Sequence, residues 1–164
     1  MKKLSKNIYY DLILTCGFMG FSPFAPGTVC SFFVTIISFY LLNVSHILLG
    51  ILILISTATG VYLSTKVVKE TKKIDPKEIV IDELVGQGLA LLISDIYVMR
   101  YTYNHINIYH AMLLFILFRV FDILKPMPID YIDDNFHYGF GVMFDDVIAG
   151  IFASIYFIFI LSFL

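Results

Sequence analysis

The chain has 164 residues, of which 59% are hydrophobic and only 15% charged, with a mean hydropathy of +0.87. Soluble domains carry about 25% charged residues, so the composition argues against a water-soluble domain and for an integral membrane protein folded as a single domain over residues 1–164. The formal net charge of −2 identifies no partner, because the charges are unevenly placed, and no basic stripe with interleaved aromatics points to nucleic acid.

The basic start (Lys2, Lys3, Lys6) is followed by Asp11 inside an apolar stretch and by no small-residue cleavage motif. No cleavable signal peptide is therefore expected. Residues 8–21 are interrupted by Asp11, Gly17 and Gly20, which predicts an interfacial or re-entrant helix rather than a span. Cys16 and Cys30 lack metal-ligand spacing and read as apolar-like thiols. Hydropathy then gives five candidate spans, roughly 28–43, 46–65, 84–100, 108–124 and 147–164. A full crossing takes about 20 helical residues, so the first and fourth are short. The expected fold is an all-α, polytopic membrane bundle of about five spans plus the N-terminal helix.

Alternating the spans puts Asn43-Val44-Ser45-His46 and residues 101–107 on one face. Residues 66–78 and 125–146 fall on the other. Ten of the 11 Lys and Arg then share the second face: Lys2, Lys3, Lys6, Lys66, Lys69, Lys72, Lys73, Lys77, Arg119 and Lys125, with Arg100 alone opposite. The positive-inside rule makes that face cytoplasmic.

Local signals refine the boundaries. Asp75-Pro76-Lys77-Glu78 reads as an N-cap, a first-turn Pro and a capping-box Glu, predicting a helix from there through Asp82 and Glu83 into the third span. Glu78 and Asp82 would share its face. Gly86 and Gly88 would admit another helix closely. Lys125-Pro126-Met127-Pro128 ends the fourth span, and Ile129, Ile132 and Phe136 recur at the spacing of a short interfacial helix.

Five carboxylates gather at span ends on the cytoplasmic side: Asp82 and Glu83 opening the third, Asp122 closing the fourth, Asp145 and Asp146 opening the fifth. Each has a bland explanation. Asp145-Asp146 could be an N-cap with first-turn acids, Asp82-Glu83 solvated headgroup-level acids, and Asp122 the partner of Arg119 three residues before it. Together they place several costly acids at one membrane face. Hard oxygen donors suit magnesium, which shares its shell with substrate phosphate and could polarise a phosphoryl oxygen and activate a water. Arg119 and Lys125 are candidate phosphate contacts, with snorkelling or ion pairing as the plainer alternative. Pro26, Gly27 and Thr28 could present backbone donors at a helix start, an anion site, or merely begin the helix. His137 could donate a proton to a leaving oxygen or be an ordinary interfacial residue. His46, His105 and His110 fall toward the opposite face and receive no role. No G-x-x-x-x-G-K-[ST] loop, G-x-S-x-G elbow or histidine-rich metal motif occurs.

Four blocks, in order, resemble the phosphatidylglycerophosphatase A family. They are Ser22-Pro23-Phe24-Ala25-Pro26-Gly27-Thr28, Ile79-Val80-Ile81-Asp82-Glu83-Leu84-Val85-Gly86, the run from Phe118 to Ile129 and the run from Gly139 to Gly150. The resemblance implies magnesium-dependent hydrolysis of a membrane lipid, phosphatidylglycerophosphate, in the bacterial cytoplasmic membrane. It also implies an acidic site of Asp82, Glu83, Asp122, Asp145 and Asp146 beside Arg119 and Lys125, with Gly139 and Gly141 in a matching block. The chain departs from the pattern at Tyr138, Cys30 and Met127. The alternatives are a phosphatase for another anionic lipid or polyprenyl phosphate and, from a different class, an ion-coupled transporter. A transporter expects acids near the bilayer midplane.

Overall fold

The computed structural model describes residues 4–72, 76–131 and 138–163. Its elements are α1 (Ile8–Leu14), a 3-10 turn (Met19–Phe21), α2 (Pro26–Leu42), α3 (His46–Thr71), α4 (Ile81–Thr102), α5 (Ile108–Leu124) and α6 (Tyr138–Leu161). No strand is present among the described residues, so the all-α expectation holds.

The N-terminal segment does not span as one helix, because the seven residues of α1 extend only about 10 Å. Asp11, which breaks the apolar pattern, is buried and accepts hydrogen bonds from the Leu4 and Ser5 amides (3.1 and 2.8 Å) and the Ser5 hydroxyl (2.7 Å). A buried carboxylate must be paired or hydrogen-bonded, and this one folds the chain start onto α1.

The helices α3 and α6 are each long and apolar enough to cross a bilayer. α2 and α5, at 17 residues each, extend about 25 Å. The outward faces are apolar: Ile37, Leu54, Ile55, Ile116, Ile155 and Phe159 are all more than half exposed. Such a surface is a liability in water and at rest in hydrocarbon.

α4 is the hub, packing on α2, α3, α5 and most extensively on α6. A Cβ on Gly86 would meet the Asp146 carbonyl (2.5 Å) and the Phe118 ring (2.7 Å), and one on Gly150 would strike the Gly86 carbonyl. One turn on, the Ser154 hydroxyl donates to the Ala90 carbonyl (3.2 Å). The contacts 86 with 150 and 90 with 154 advance together, so α4 and α6 run parallel. The expected close approach at Gly86 is therefore made by α6, whereas Gly88 packs on the Ile53 side chain of α3.

Two predicted boundaries are corrected. The Ile79 amide bonds back to the Pro76 carbonyl (2.9 Å) and the Val80 amide to the Leu14 carbonyl (2.9 Å), so α4 begins only at Ile81. Glu78 lies outside that helix and shares no face with Asp82, and Asp75 is outside the described residues. α6 begins at Tyr138, two turns before Asp145. Gly139 and Gly141 are thus helical, and Asp145 and Asp146 are interior helix residues rather than an N-cap. Residues 129–131 are helical; the rest of the predicted interfacial helix lies outside the described residues.

Candidate active site

Asp82 and Glu83 occupy the first turn of α4, where acids complement the helix dipole. Asp82 caps locally, its Oδ1 accepting from the Glu83 amide (3.0 Å). α6 brings Asp146 alongside, and one oxygen of each of Asp82, Glu83 and Asp146 lies within 4.8 Å of the others. Asp146 is 3% exposed and the Glu83 side chain 14%. Glu83 Oε2 and Asp146 Oδ2 are buried without a hydrogen-bond partner among the described residues. Buried polar atoms are normally satisfied, so these two oxygens could serve as ligand atoms for a cation.

The other two acids face basic side chains. Asp122 Oδ2 lies 2.5 Å from Arg119 Nη1, the i,i+3 pair expected of the sequence, while the same nitrogen lies 3.9 Å from Glu83 Oε1. The approach to Asp122 is off the N–H direction, and Arg119 Nε and Nη1 are buried without a hydrogen bond among the described residues. Donors without an aligned acceptor among the described residues suit a phosphate oxygen. Asp145 receives Lys125 Nζ at 2.8 Å. Lys125 ends α5 in a left-handed conformation (φ 42°), which turns the chain and lets its side chain reach across to α6.

Pro26 and Gly27 open α2 after Ala25, itself left-handed (φ 40°). A Cβ on Gly27 would overlap Glu83 Oε1 and lie 3.2 Å from Arg119 Nη1. Gly27 thus joins the site as a space-maker for Glu83. Thr28 lies with Arg119 on a groove of about 400 Å³ between α2 and α5, whose other walls are Phe115, Ile116, Val120, Ile123 and Leu124.

Gly139 packs on α3: its added Cβ would strike the Val61 carbonyl, and its amide donates to the Thr65 hydroxyl (3.2 Å). Gly141 is buried in the same helix. His137 lies outside the described residues. Among the family departures, Cys30 is fully buried with its thiol donating to the Val80 carbonyl (3.2 Å), filling the gap beside the start of α4, and Met127 is exposed.

One residue escaped the sequence reading. Gln87 is fully buried, and neither side-chain amide atom has a hydrogen-bond partner among the described residues. It follows Glu83 by four positions and so projects from the same face of α4. A lone amide between Gly86 and Gly88 was the available signal.

A family model described as phosphatidylglycerophosphatase A matches residues 12–161. A protein of Bacteroides thetaiotaomicron described as a candidate phosphatidylinositol-3-phosphatase is 34% identical, covering 93% of this chain and 94% of its own. Two proteins named phosphatidylglycerophosphatase A also match. The Haemophilus influenzae one is 40% identical over 80% of this chain and 76% of its own, and the Escherichia coli one 30% identical over 89% and 81%. No solved structure matches. With the family match covering most of the chain and the acids of its motifs meeting at one end of the bundle, the chain belongs to the phosphatidylglycerophosphatase A family of phosphatases.

Proposed function

We propose that the chain hydrolyses phosphatidylglycerophosphate to phosphatidylglycerol and inorganic phosphate, with magnesium, at the cytoplasmic face of the bacterial inner membrane. The carrying observation is the meeting of Asp82, Glu83 and Asp146 beside the Arg119 guanidinium. The donors are hard oxygens, and two are orphaned and buried, which fits magnesium. Bound there, the ion would neutralise charge on phosphoryl oxygens.

The chain's own residues supply the rest. Arg119 holds the phosphate through its guanidinium N–H donors. Lys125, 28% exposed, adds positive charge at the rim while holding Asp145. Gly27 keeps Glu83 in place. The groove at Thr28 and Arg119 has an almost wholly apolar wall, so an acyl chain can lie along it with its phosphate at Arg119.

The membrane topology is part of the proposal. All five helices from α2 to α6 cross the bilayer, α2 and α5 by local thinning or tilt of their neighbours, and α1 lies at the interface. With that topology Lys66, Lys69, Lys72, Lys77 and Lys125 fall on the side of the site, which supports a cytoplasmic site by the positive-inside rule. The acids of the site sit at one end of the bundle, which disfavours the transporter reading.

The test is phosphate release from phosphatidylglycerophosphate by the purified protein in detergent, with magnesium and then with chelator. Release that requires magnesium, and that in Asp146→Asn falls sharply at the magnesium concentration that suffices for wild type, is expected. No release from folded protein would overturn the assignment. The Bacteroides relative favours one second reading, an inositol lipid phosphate as substrate. A panel adding phosphatidylinositol 3-phosphate and a polyprenyl phosphate decides it by kcat/KM.

A further inference from the structure

A second cluster lies thirteen residues further along α4, about 20 Å from Asp82. Asp95 is fully buried there. Its Oδ1 accepts from the Ile106 amide at 2.6 Å, and its Oδ2 lies 2.6 Å from His46 Nε2 and 2.8 Å from His105 Nδ1. His46 is the first residue of α3, and His105 belongs to the link between α4 and α5. The two rings face one another, 5.5 Å between centroids and 31° between planes.

We propose that His46, Asp95 and His105 form a binding site for one divalent transition-metal ion of the zinc type, with water as fourth ligand. The donor set decides the class. Two imidazole nitrogens and a single carboxylate oxygen suit zinc and its neighbours, whereas the all-oxygen cluster at the other end of α4 suits magnesium. Charge points the same way. A buried carboxylate needs a positive partner, and a divalent ion held by the two imidazoles supplies it.

The geometry needs little change. Tetrahedral bonds of about 2.1 Å put donor atoms about 3.4 Å apart, so each ring nitrogen would withdraw from Oδ2 by less than about 1 Å. The two imidazoles are 26% and 31% exposed and sit on a helix start and a link, which permits that movement and leaves an entry path. Asp95 stays fixed, because the Ile106 amide holds its other oxygen, the outer contact that orients metal-bound carboxylates. A bound ion would tie α3, α4 and the link 103–107 together.

The experiment titrates cobalt(II) into the metal-stripped full chain in detergent, with excess magnesium present to occupy the oxygen site. One equivalent should give the intense visible absorption of tetrahedral cobalt, and zinc should displace it. His46→Gln and His105→Gln should each weaken binding at least about tenfold with magnesium-dependent phosphate release unchanged. X-ray absorption of the zinc-loaded wild type should show two imidazole scatterers, a readout that needs no variant to fold. Absence of the tetrahedral band in folded wild type, an all-oxygen zinc shell, or binding unchanged in both variants would overturn the proposal and leave the cluster a hydrogen-bonded staple.

Discussion

Replacing Gly27 by Ala tests the site through a single methyl group. Gly27 has no unusual backbone angle; what it requires is room. Its added Cβ overlaps Glu83 Oε1 and lies 2.9 Å from Glu83 Cδ and 3.2 Å from Arg119 Nη1. All three are side-chain atoms, so α2 can keep its position while Glu83 retreats. Ala is also the better helix former, by roughly 1 kcal/mol in a helix interior, which offsets part of the cost. The thermal midpoint, followed by circular dichroism, should therefore stay within a few degrees of wild type. Activity should not. Restoring ordinary contact moves the carboxylate oxygen by at least about 1.5 Å, and a displacement of even about 1 Å in a catalytic array costs on the order of 100-fold. That corresponds to about 2.7 kcal/mol in the barrier. The assay is kcat/KM for phosphate release at saturating magnesium. Glu83→Asp, added to Gly27→Ala, withdraws the carboxylate by one methylene and should recover part of the loss, although Glu83→Asp alone should impair the enzyme. Wild-type turnover by Gly27→Ala within threefold would refute the placement of Glu83.

Asp82→Asn and Asp146→Asn should fold normally but raise the magnesium concentration for half-maximal activity by at least about tenfold; a wild-type magnesium titration in either removes that residue from the ligand set. Lys125→Ala should cost less than about 1 kcal/mol of stability because the pair is partly exposed, yet its effect on activity should be non-additive with that of Asp145→Asn, and simple additivity in the double-mutant cycle would mean the 2.8 Å contact is functionally idle. Gly150→Val should lower stability by about 1–3 kcal/mol and activity with it, because its side chain meets the Gly86 backbone; an unchanged thermal midpoint would contradict the close packing of α4 on α6.

The sequence carried the helices well where hydropathy and chain geometry coincide. The predicted 28–43 and 108–124 are α2 (Pro26–Leu42) and α5 (Ile108–Leu124) within two residues. It failed where they part. Hydropathy fades at Lys66 and before Val147, but backbone hydrogen bonding carries α3 on to Thr71 and starts α6 at Tyr138. The capping pattern at Pro76 loses to a tertiary contact, since the Val80 amide bonds to the Leu14 carbonyl instead of entering a helical ladder. The identity of the acidic residues was legible because charge is conspicuous among apolar spans. Their division was not. Nothing local says that Asp145 answers Lys125 whereas Asp146 joins Asp82 and Glu83, and nothing local brings His46 to Asp95 across 49 positions.

The register between α4 and α6 explains that division. Gly86 meets Gly150 and Ala90 meets Ser154, a constant offset of 64 residues between parallel helices. The same offset, continued one turn toward both N-termini, pairs Asp82 with Asp146. These acids project from the facing surfaces because they precede Gly86 and Gly150 by four residues each, nearly one full turn. Asp145 is rotated away by one position, about 100°, and so turns to Lys125 at the end of α5. The two glycines therefore do more than permit close packing. By fixing where α4 and α6 touch, they fix the height at which the carboxylates meet, and the parallel direction ensures that both arrive at the same end of the bundle. Like charges so placed repel, and the apolar packing along the rest of the α4–α6 contact holds them there against that repulsion.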